Sequence, residues 1–207
     1  MKNDTIDWYD RNATSYFDDT FSLSLANQIS RLTIHLRPGA RVLDVGCGSG
    51  RDCLAFRSLG FDVEARDASE GMARATTLQT GIPVTVADVR ETHDVAAFDG
   101  IWASAILLHI EPNEVPSVMT RISNALRPGG VLYVSLKEGT GSELVDGRWF
   151  HYWCLEDFLR EAVSGTRLSL IESWKTEDTR RVGVIWINML FSTPKEGPRV
   201  CTDTSHP

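Results

Sequence analysis

The sequence has no long apolar segment. No apolar run in the 207 residues approaches the roughly 18 residues that a membrane-spanning helix needs. The first residues are polar and acidic, unlike the basic and then apolar start of a secretory signal. We therefore expect no membrane partner and a cytoplasmic location.

Metal-binding cysteine patterns and dense basic segments are also missing. The four cysteines, Cys47, Cys53, Cys154 and Cys201, form no C-x-x-C pair and have no flanking histidine at metal-ligand spacing, which predicts reduced thiols and no metal site. Lys and Arg number 21 against 28 Asp and Glu, for a net charge of −7. Because phosphate contacts need clustered cations, a nucleic-acid partner is disfavoured, although it is not excluded.

What is present is an ordinary globular composition with a regular alternation of elements. Hydrophobic residues make up 42% and charged residues 24%, which fits one domain with a sizeable core. Strand-like runs lie at 41–45, 61–66, 83–87, 98–104, 130–136, near 167–175 and near 182–191. Amphipathic helical segments separate the first five runs, which predicts an α/β fold with parallel strands and helices on both faces of the sheet. The last two runs are predicted to pair antiparallel.

The sequence also predicts where the domain and its helices begin and end. We expect a single domain over 1–192, with an N-terminal helix at about 5–22 and a loose, polar C-terminal tail at 193–207. A helix with Pro112 in its first turn carries an apolar stripe from Val115 to Leu126. The segment 139–147 reads as a polar loop.

The most informative stretch is an apolar strand that turns through alternate glycines into a helix. Val42 to Val45 precede Gly46, Gly48 and Gly50, which leave no Cβ between the backbone and a ligand. The spacing is not that of a dinucleotide site, because the last position of the G-x-G-x-x-G pattern is Arg51 or Cys53. Asp44 would repel phosphate and would attract a cationic ligand instead.

From these residues the chain resembles the class I S-adenosylmethionine (SAM)-dependent methyltransferases, in particular those that act on small molecules and in quinone biosynthesis. The resemblance implies a Rossmann-like, seven-stranded, mostly parallel sheet with an antiparallel C-terminal strand pair. It also implies SAM as cofactor, whose ammonium and sulfonium would suit Asp44, with Gly46, Cys47 and Gly48 against the ligand. A glycine turn without a ligand stays open as the alternative.

Two further strand ends carry carboxylates that an adenosine ligand could use. Asp67 ends the second strand and could accept two hydrogen bonds from a ribose diol, with Ala68 and Met72 beside the adenosine. NAD enzymes use such an acid too, and Asp67 could instead cap the next helix. Asp88 ends the third strand, and the resemblance implies that Asp88 and the Val89 backbone N–H meet the adenine; a solvated turn acid is the alternative for Asp88.

Candidate catalytic residues follow the fourth strand and lie in two aromatic clusters. Ser104 is expected near the transferred methyl group. His109 is the candidate general base, although it could equally hydrogen-bond the next helix and support the pocket wall. Tyr9 and Tyr16 share a helical face and could touch the methionine end of SAM or the acceptor, or could pack as core. His151 belongs to the second cluster, 149–153, which we expect to shape the acceptor pocket, and it is the second catalytic candidate.

The resulting functional prediction is in-line methyl transfer from SAM to a small-molecule acceptor. A tRNA- or protein-directed methyltransferase and a non-catalytic nucleotide-binding module are the alternatives. The acceptor atom is not predicted, and we expect a monomer or a homodimer.

Overall fold

A computed structural model describes residues 2–195 of the chain. Its helices are α1 (Lys2–Arg11), α2 (Ala13–Phe21), α3 (Ala26–Thr33), α4 (Arg51–Ser58), α5 (Glu70–Thr80), α6 (Val115–Ala125) and the single turn α7 (Leu155–Phe158). Its strands are β1 (Arg41–Val45), β2 (Asp62–Asp67), β3 (Val84–Val86), β4 (Phe98–Ser104), β5 (Leu126–Lys137), β6 (Ser142–Val145), β7 (Arg148–His151), β8 (Ser169–Glu177) and β9 (Ile185–Ser192). Short 3-10 turns occur at Val89–Glu91 and Leu107–His109, and a π-helical segment follows α7 at Leu159–Val163.

Seven strands form one sheet in the order β3-β2-β1-β4-β5-β9-β8. The first five are parallel, and β9 runs antiparallel to both β5 and β8. Four of the five residues of the central strand β1 are buried, as expected for a parallel strand covered on both faces. The predicted α/β fold with an antiparallel C-terminal pair is therefore confirmed.

The core fills both faces of this sheet. On one face Trp102 stacks on Tyr133 with ring centroids 3.9 Å apart, and both side chains are almost completely buried. On the other face α6 buries Val118, Met119 and Ile122 against β4 and β5. The apolar stripe predicted for this helix is thus core.

The N-terminal segment consists of two helices rather than the single predicted one. The chain breaks at Asn12, whose side-chain amide donates to the Trp8 carbonyl oxygen at 2.7 Å. Asp10 fixes α1 to the start of α5, since its carboxylate accepts from the Ser69 hydroxyl at 2.6 Å and from the Gly71 N–H at 2.8 Å. α1 is thereby fixed beside the cavity at the carboxyl ends of the strands, which its residues Thr5 and Tyr9 line.

The helix predicted from Pro112 starts at Val115 and ends at Ala125. Leu126, expected on its apolar face, has extended backbone angles and pairs with Phe98 as the first residue of β5. The cause lies in the next residues, because Pro128 disfavours a helical conformation at Arg127.

The predicted loop at 139–147 contains a strand. β6 and β7 form a separate two-stranded antiparallel hairpin, turned by Asp146 and Gly147, which both have positive φ. This hairpin adds a wall beside α1, where the Thr5 hydroxyl accepts from the Trp149 N–H at 2.9 Å.

The start of the predicted tail is not loose. Thr193 is buried, its N–H donates to the Gly130 carbonyl oxygen at 3.0 Å, and the Gly129 N–H donates to the Pro194 carbonyl oxygen. The rest of the predicted tail, 196–207, with Cys201, lies outside the described residues. Within 2–195, no helix is long and apolar enough to cross a membrane.

Candidate active site

A cavity of about 130 Å³ opens at the carboxyl ends of β1, β2, β3 and β4, under α1 and α2. This is the crevice where open α/β sheets bind ligands. The cavity is lined by these predicted cofactor residues: Tyr9, Tyr16, Asp44, Gly46, Cys47, Gly48, Asp67, Ala68, Asp88, Val89 and Ser104. His109 lines it too.

The glycine turn brings bare backbone to the cavity. Gly46, Gly48 and Gly50 have φ of 70°, 52° and 71°, where other residues are strained. A Cβ on Gly46 would lie 2.7 Å from the Ile106 Cδ1 atom, so a side chain there would displace the cavity wall. The Gly46 N–H donates to the Arg66 carbonyl oxygen at 2.8 Å, which fixes the turn against β2.

Asp44 is a buried carboxyl group, only 3% exposed, at the start of this turn. The Cys53 thiol donates to its Oδ2 at 3.1 Å, and no ion pair to Asp44 forms among residues 4–195. Burial, with a smaller contribution from the nearby Asp52, raises the pKa of Asp44 to about 8. A cationic ligand would favour the ionised form, so the site is electrostatically suited to one.

Asp67 is held in place by backbone N–H groups on both sides of the cavity. Its Oδ2 accepts from the Gly48 N–H and its Oδ1 from the Ser69 N–H, each at 2.9 Å. Each oxygen keeps a further lone pair for a ligand hydroxyl. Ser69, whose hydroxyl accepts from the Met72 N–H, is the residue that caps α5, so Asp67 does not serve as that cap.

Asp88 lines the cavity, but its carboxylate is occupied. The Arg90 guanidinium binds both oxygens, with nitrogen–oxygen distances of 2.5–3.0 Å, and the Arg90 N–H donates to Oδ1 at 2.9 Å. Arg90 also lines the cavity. A ligand amino group would therefore have to share the Asp88 carboxylate with Arg90. The sequence did not indicate this pairing of Asp88 with Arg90.

His109 has partners on both ring nitrogens. Its Nδ1 lies 2.7 Å from the Trp149 carbonyl oxygen, which can only accept, so Nδ1 carries the proton. Its Nε2 therefore accepts from the Tyr9 hydroxyl at 3.1 Å. Burial lowers the pKa of His109 to about 4. These contacts favour the positioning alternative over the general base, because the neutral ring fixes Tyr9 and the β6–β7 hairpin.

Two predicted site residues do not reach either cavity. Met72 is 1% exposed and belongs to the buried core, and neither cavity is lined by it. His151 points away because side chains alternate along β7, where Arg148 and Phe150 line a cavity. Its Nδ1 instead lies 2.6 Å from the Ser142 hydroxyl. These positions differ from the expected places, which were beside the adenosine for Met72 and in the acceptor pocket for His151.

A second cavity, of about 320 Å³, adjoins the first. The two cavities share these lining residues: Tyr9, Tyr16, Thr20, Arg51, Ser104, Ala105 and His109. Ala105 has a φ of 55°, an unusual value for a residue with a side chain, at the end of β4 where the cavities meet. The Ser135 hydroxyl accepts from the Ala105 N–H at 3.0 Å and supports this turn.

Sequence reasoning missed three cationic residues that line these cavities. Arg51 contacts both, and its guanidinium donates to the Thr20 carbonyl oxygen at 3.1 Å. Lys137, the last residue of β5, and Arg148, the first of β7, line the second cavity. Arg51 directly follows the glycine turn and could have been noticed, whereas no local pattern singles out the other two.

A family model described as a methyltransferase domain matches residues 17–171. The chain belongs to this methyltransferase domain family. The resemblance deduced from the glycine turn is thereby confirmed.

The chain matches its curated relatives over only part of their length. The chain is 35% identical over 106 residues to a ubiquinone biosynthesis O-methyltransferase of Xanthomonas campestris pv. campestris, covering 47% of this chain and 43% of that protein. It is 30% identical over 109 residues to phosphoethanolamine N-methyltransferase 1 of Arabidopsis thaliana, covering 49% of this chain and 22% of that protein. The chain thus spans less than half the length of these relatives in the matched regions.

Solved structures share the fold of this methyltransferase domain. The 1,6-didemethyltoxoflavin-N1-methyltransferase of Burkholderia thailandensis, solved with its substrate and S-adenosylhomocysteine, superposes with a TM-score of 0.73 at 23% identity, covering 94% of this chain and 87% of that one. The cyclase SpnF superposes with a TM-score of 0.67 at 18% identity, covering 83% and 80%. Because one fold hosts different reactions, this likeness bears on architecture alone.

Proposed function

We propose that this protein is a SAM-dependent methyltransferase that acts on a small-molecule acceptor. The observation that carries the proposal is the meeting of Asp44, Asp67 and Asp88, from three strand ends, in one cavity that adjoins a second, larger one. The first cavity offers acids and bare backbone for a cationic adenosyl ligand, and the second offers space for an acceptor. The family membership and the relatives named above support this interpretation.

The residues present fit SAM by their chemistry. Asp44 lacks a cationic partner among residues 4–195, which suits the SAM ammonium, and Arg51 supplies a guanidinium for the carboxylate. Asp67 has free lone pairs for the ribose hydroxyls, while Val89 and the shared Asp88 are assigned to the adenine. Tyr9 and Tyr16 are assigned to the methionine end. When bound, SAM supplies an electrophilic methyl group on its sulfonium sulfur.

In this proposal the chain contributes mainly by holding the acceptor in line. Ser104 and Ala105 belong to the wall common to both cavities, so an acceptor atom placed there would face the donor cavity. Alignment of this kind supplies up to about 7–11 kcal/mol in the best intramolecular models. Tyr9, fixed by its hydrogen bond to His109, closes the site from α1 and excludes water.

The assignment of Asp67 gives a direct test of donor binding. Asp67→Ala is expected to weaken SAM binding by on the order of 1–3 kcal/mol, the scale of lost hydrogen bonds to a charged acceptor. Isothermal titration calorimetry of SAM against the wild type and the variant measures this. Asp62→Ala, at the exposed start of the same strand, is the matched control and should bind SAM like the wild type. Unchanged affinity in Asp67→Ala would refute the placement of the ribose.

Methyl transfer itself is tested with methyl-labelled SAM and a cell extract. Label that enters small metabolites supports the proposal, whereas label in RNA or protein supports a macromolecular acceptor. SAM binding without any transfer would favour the non-catalytic module. A cytoplasmic location and a monomeric or homodimeric state stay predictions.

A further inference from the structure

The second cavity carries an excess of positive charge. Its lining includes the cations Arg51, Lys137, Arg148, Arg180 and Arg181 against the acids Glu177 and Asp178. Asp178 is already engaged, since its carboxylate accepts from the Trp186 indole N–H at 2.9 Å and from the Arg180 N–H at 2.7 Å. Arg51 pairs with Asp52 at 3.2 Å, so the other four cations of this lining face only the two acids Glu177 and Asp178.

Lys137 is the most deeply placed of these cations. The residue is only 6% exposed, and its ammonium nitrogen lies 4.0 Å from the ring centroid of Phe150 and 5.9 Å from that of Trp186. Burial, together with Arg181 and Arg148, lowers its pKa to about 8, which leaves it mostly protonated at neutral pH. No carboxylate lies within ion-pair distance of it in residues 4–195.

Arg148 adds a second positive charge near the same Phe150 ring. Its guanidinium carbon lies 4.1 Å from the Trp8 ring centroid and 5.4 Å from that of Phe150. Its Nε is buried without a hydrogen-bond partner, and the described part of the chain gives it no ion pair. A buried cation without a counter-ion is costly, and the cost falls when a ligand brings a negative charge.

We propose that the acceptor is a planar aromatic acid whose anionic group lies between Lys137 and Arg148, with its ring against Phe150 and Trp186. This inference rests on the proposed function and narrows its substrate class. The aromatic side chains fit a flat ring, and the unbalanced cations fit a carboxylate or another acidic group. The same charges would repel an acceptor with an ammonium group.

The test uses three probes that share one ring and differ in charge. They are 3,4-dihydroxybenzoate, its neutral amide 3,4-dihydroxybenzamide, and the cationic amine dopamine. The protein is first titrated with S-adenosylhomocysteine, which reports the donor site independently, and the probes are then titrated into that complex by calorimetry. We expect the acid to bind at least tenfold more tightly than the amide and dopamine to bind most weakly.

Substitutions of Lys137 then show whether its positive charge or its size determines the affinity for the acid. Lys137→Met should lower the affinity for the acid about tenfold or more and leave that for the amide unchanged, while Lys137→Arg should retain most of the preference. Lys175→Met removes an exposed lysine that pairs with Glu138 and serves as the control. Thermal unfolding verifies that each variant is folded; because Lys137 has no counter-ion, its loss should not unfold the protein.

The outcomes distinguish the two proposals. Binding of acid and amide with equal affinity, or of neither, overturns the inference about the acceptor even when S-adenosylhomocysteine binds. Failure of S-adenosylhomocysteine to bind refutes the proposed function, while a preference for the acid that depends on Lys137 would still support an anion site.

Discussion

Asp44 is a nearly buried carboxyl group, and its burial couples folding to pH. Its pKa in the folded protein is about 8, above the value of about 3.9 in an unfolded chain. The folded state therefore binds more protons than the unfolded state between these two values, and stability falls as pH rises through that range. The stabilising contribution of the protonated form is complete only below about pH 4.

Asp44→Asn is expected to improve stability and impair binding. The amide cannot ionise, so the stability advantage of the ligand-free variant over the wild type should grow by on the order of a few kcal/mol between pH 5 and pH 8.5. Urea unfolding at both pH values measures this. The same variant should bind SAM at least tenfold more weakly, because the carboxylate that faces the cation is lost. Equal pH dependence in both proteins would contradict the burial argument.

His109 illustrates how partners decide the role of a titratable residue. Its place after β4 made it the candidate base, and that placement at the cavity was correct. What the sequence did not reveal are the Trp149 carbonyl and the Tyr9 hydroxyl, which lie 40 and 100 residues away along the chain and occupy both ring nitrogens. A base needs a free lone pair, so the role depends on contacts that no local pattern encodes.

Among the elements, the docking of α1 on α5 fixes the helix whose residues Thr5 and Tyr9 line the cavity. Gly71 leaves room for this contact, since a Cβ there would lie 2.6 Å from the Asp10 carbonyl oxygen and 2.8 Å from its Cα. The clashing atoms belong to the backbone of Asp10, so no side-chain rotation can remove the clash. α1 carries Tyr9 and Thr5, so its displacement would disturb both the cavity and the hairpin.

Gly71→Ala is therefore expected to displace α1 while the sheet stays folded. SAM affinity should fall on the order of tenfold, because Tyr9 leaves its place, and limited proteolysis should cut the first 25 residues faster than in the wild type. Gly165→Ala is the matched control, since a Cβ there meets nothing within 4 Å. Wild-type affinity and protease resistance in Gly71→Ala would show that the contact is dispensable.

For the molecule as a whole, a ligand that binds only the folded state raises the unfolding temperature. SAM at one hundred times its dissociation constant adds about 2.7 kcal/mol, which for a domain of this size corresponds to about 5–10 °C. Differential scanning fluorimetry with SAM, and with NAD at the same concentration, measures this shift. We expect a shift with SAM and none with NAD, because the glycine turn lacks the G-x-G-x-x-G spacing of a dinucleotide site. A larger shift with NAD would reverse the assignment of the ligand.

The sheet and the donor cavity could be predicted because their signals are local. Buried parallel strands read as apolar runs, the three glycines mark the turn by their conformational freedom, and the carboxyl ends of parallel strands meet at one edge. Asp44, Asp67 and Asp88 therefore reach the same cavity wherever the loops run. Met72 does not line this cavity. Its proximity to Asp67 along the chain does not determine the direction in which a helical side chain points.

The sequence by itself determined the α/β architecture and the acidic, glycine-lined cavity, since both follow from the period of apolar residues and from residue chemistry at strand ends. Only the tertiary structure decided which residues line the second cavity, where the acceptor is proposed to bind. There the β6–β7 hairpin, Lys137 and Arg148 meet across separate elements, and the contacts that bring them together depend on packing rather than on spacing along the chain.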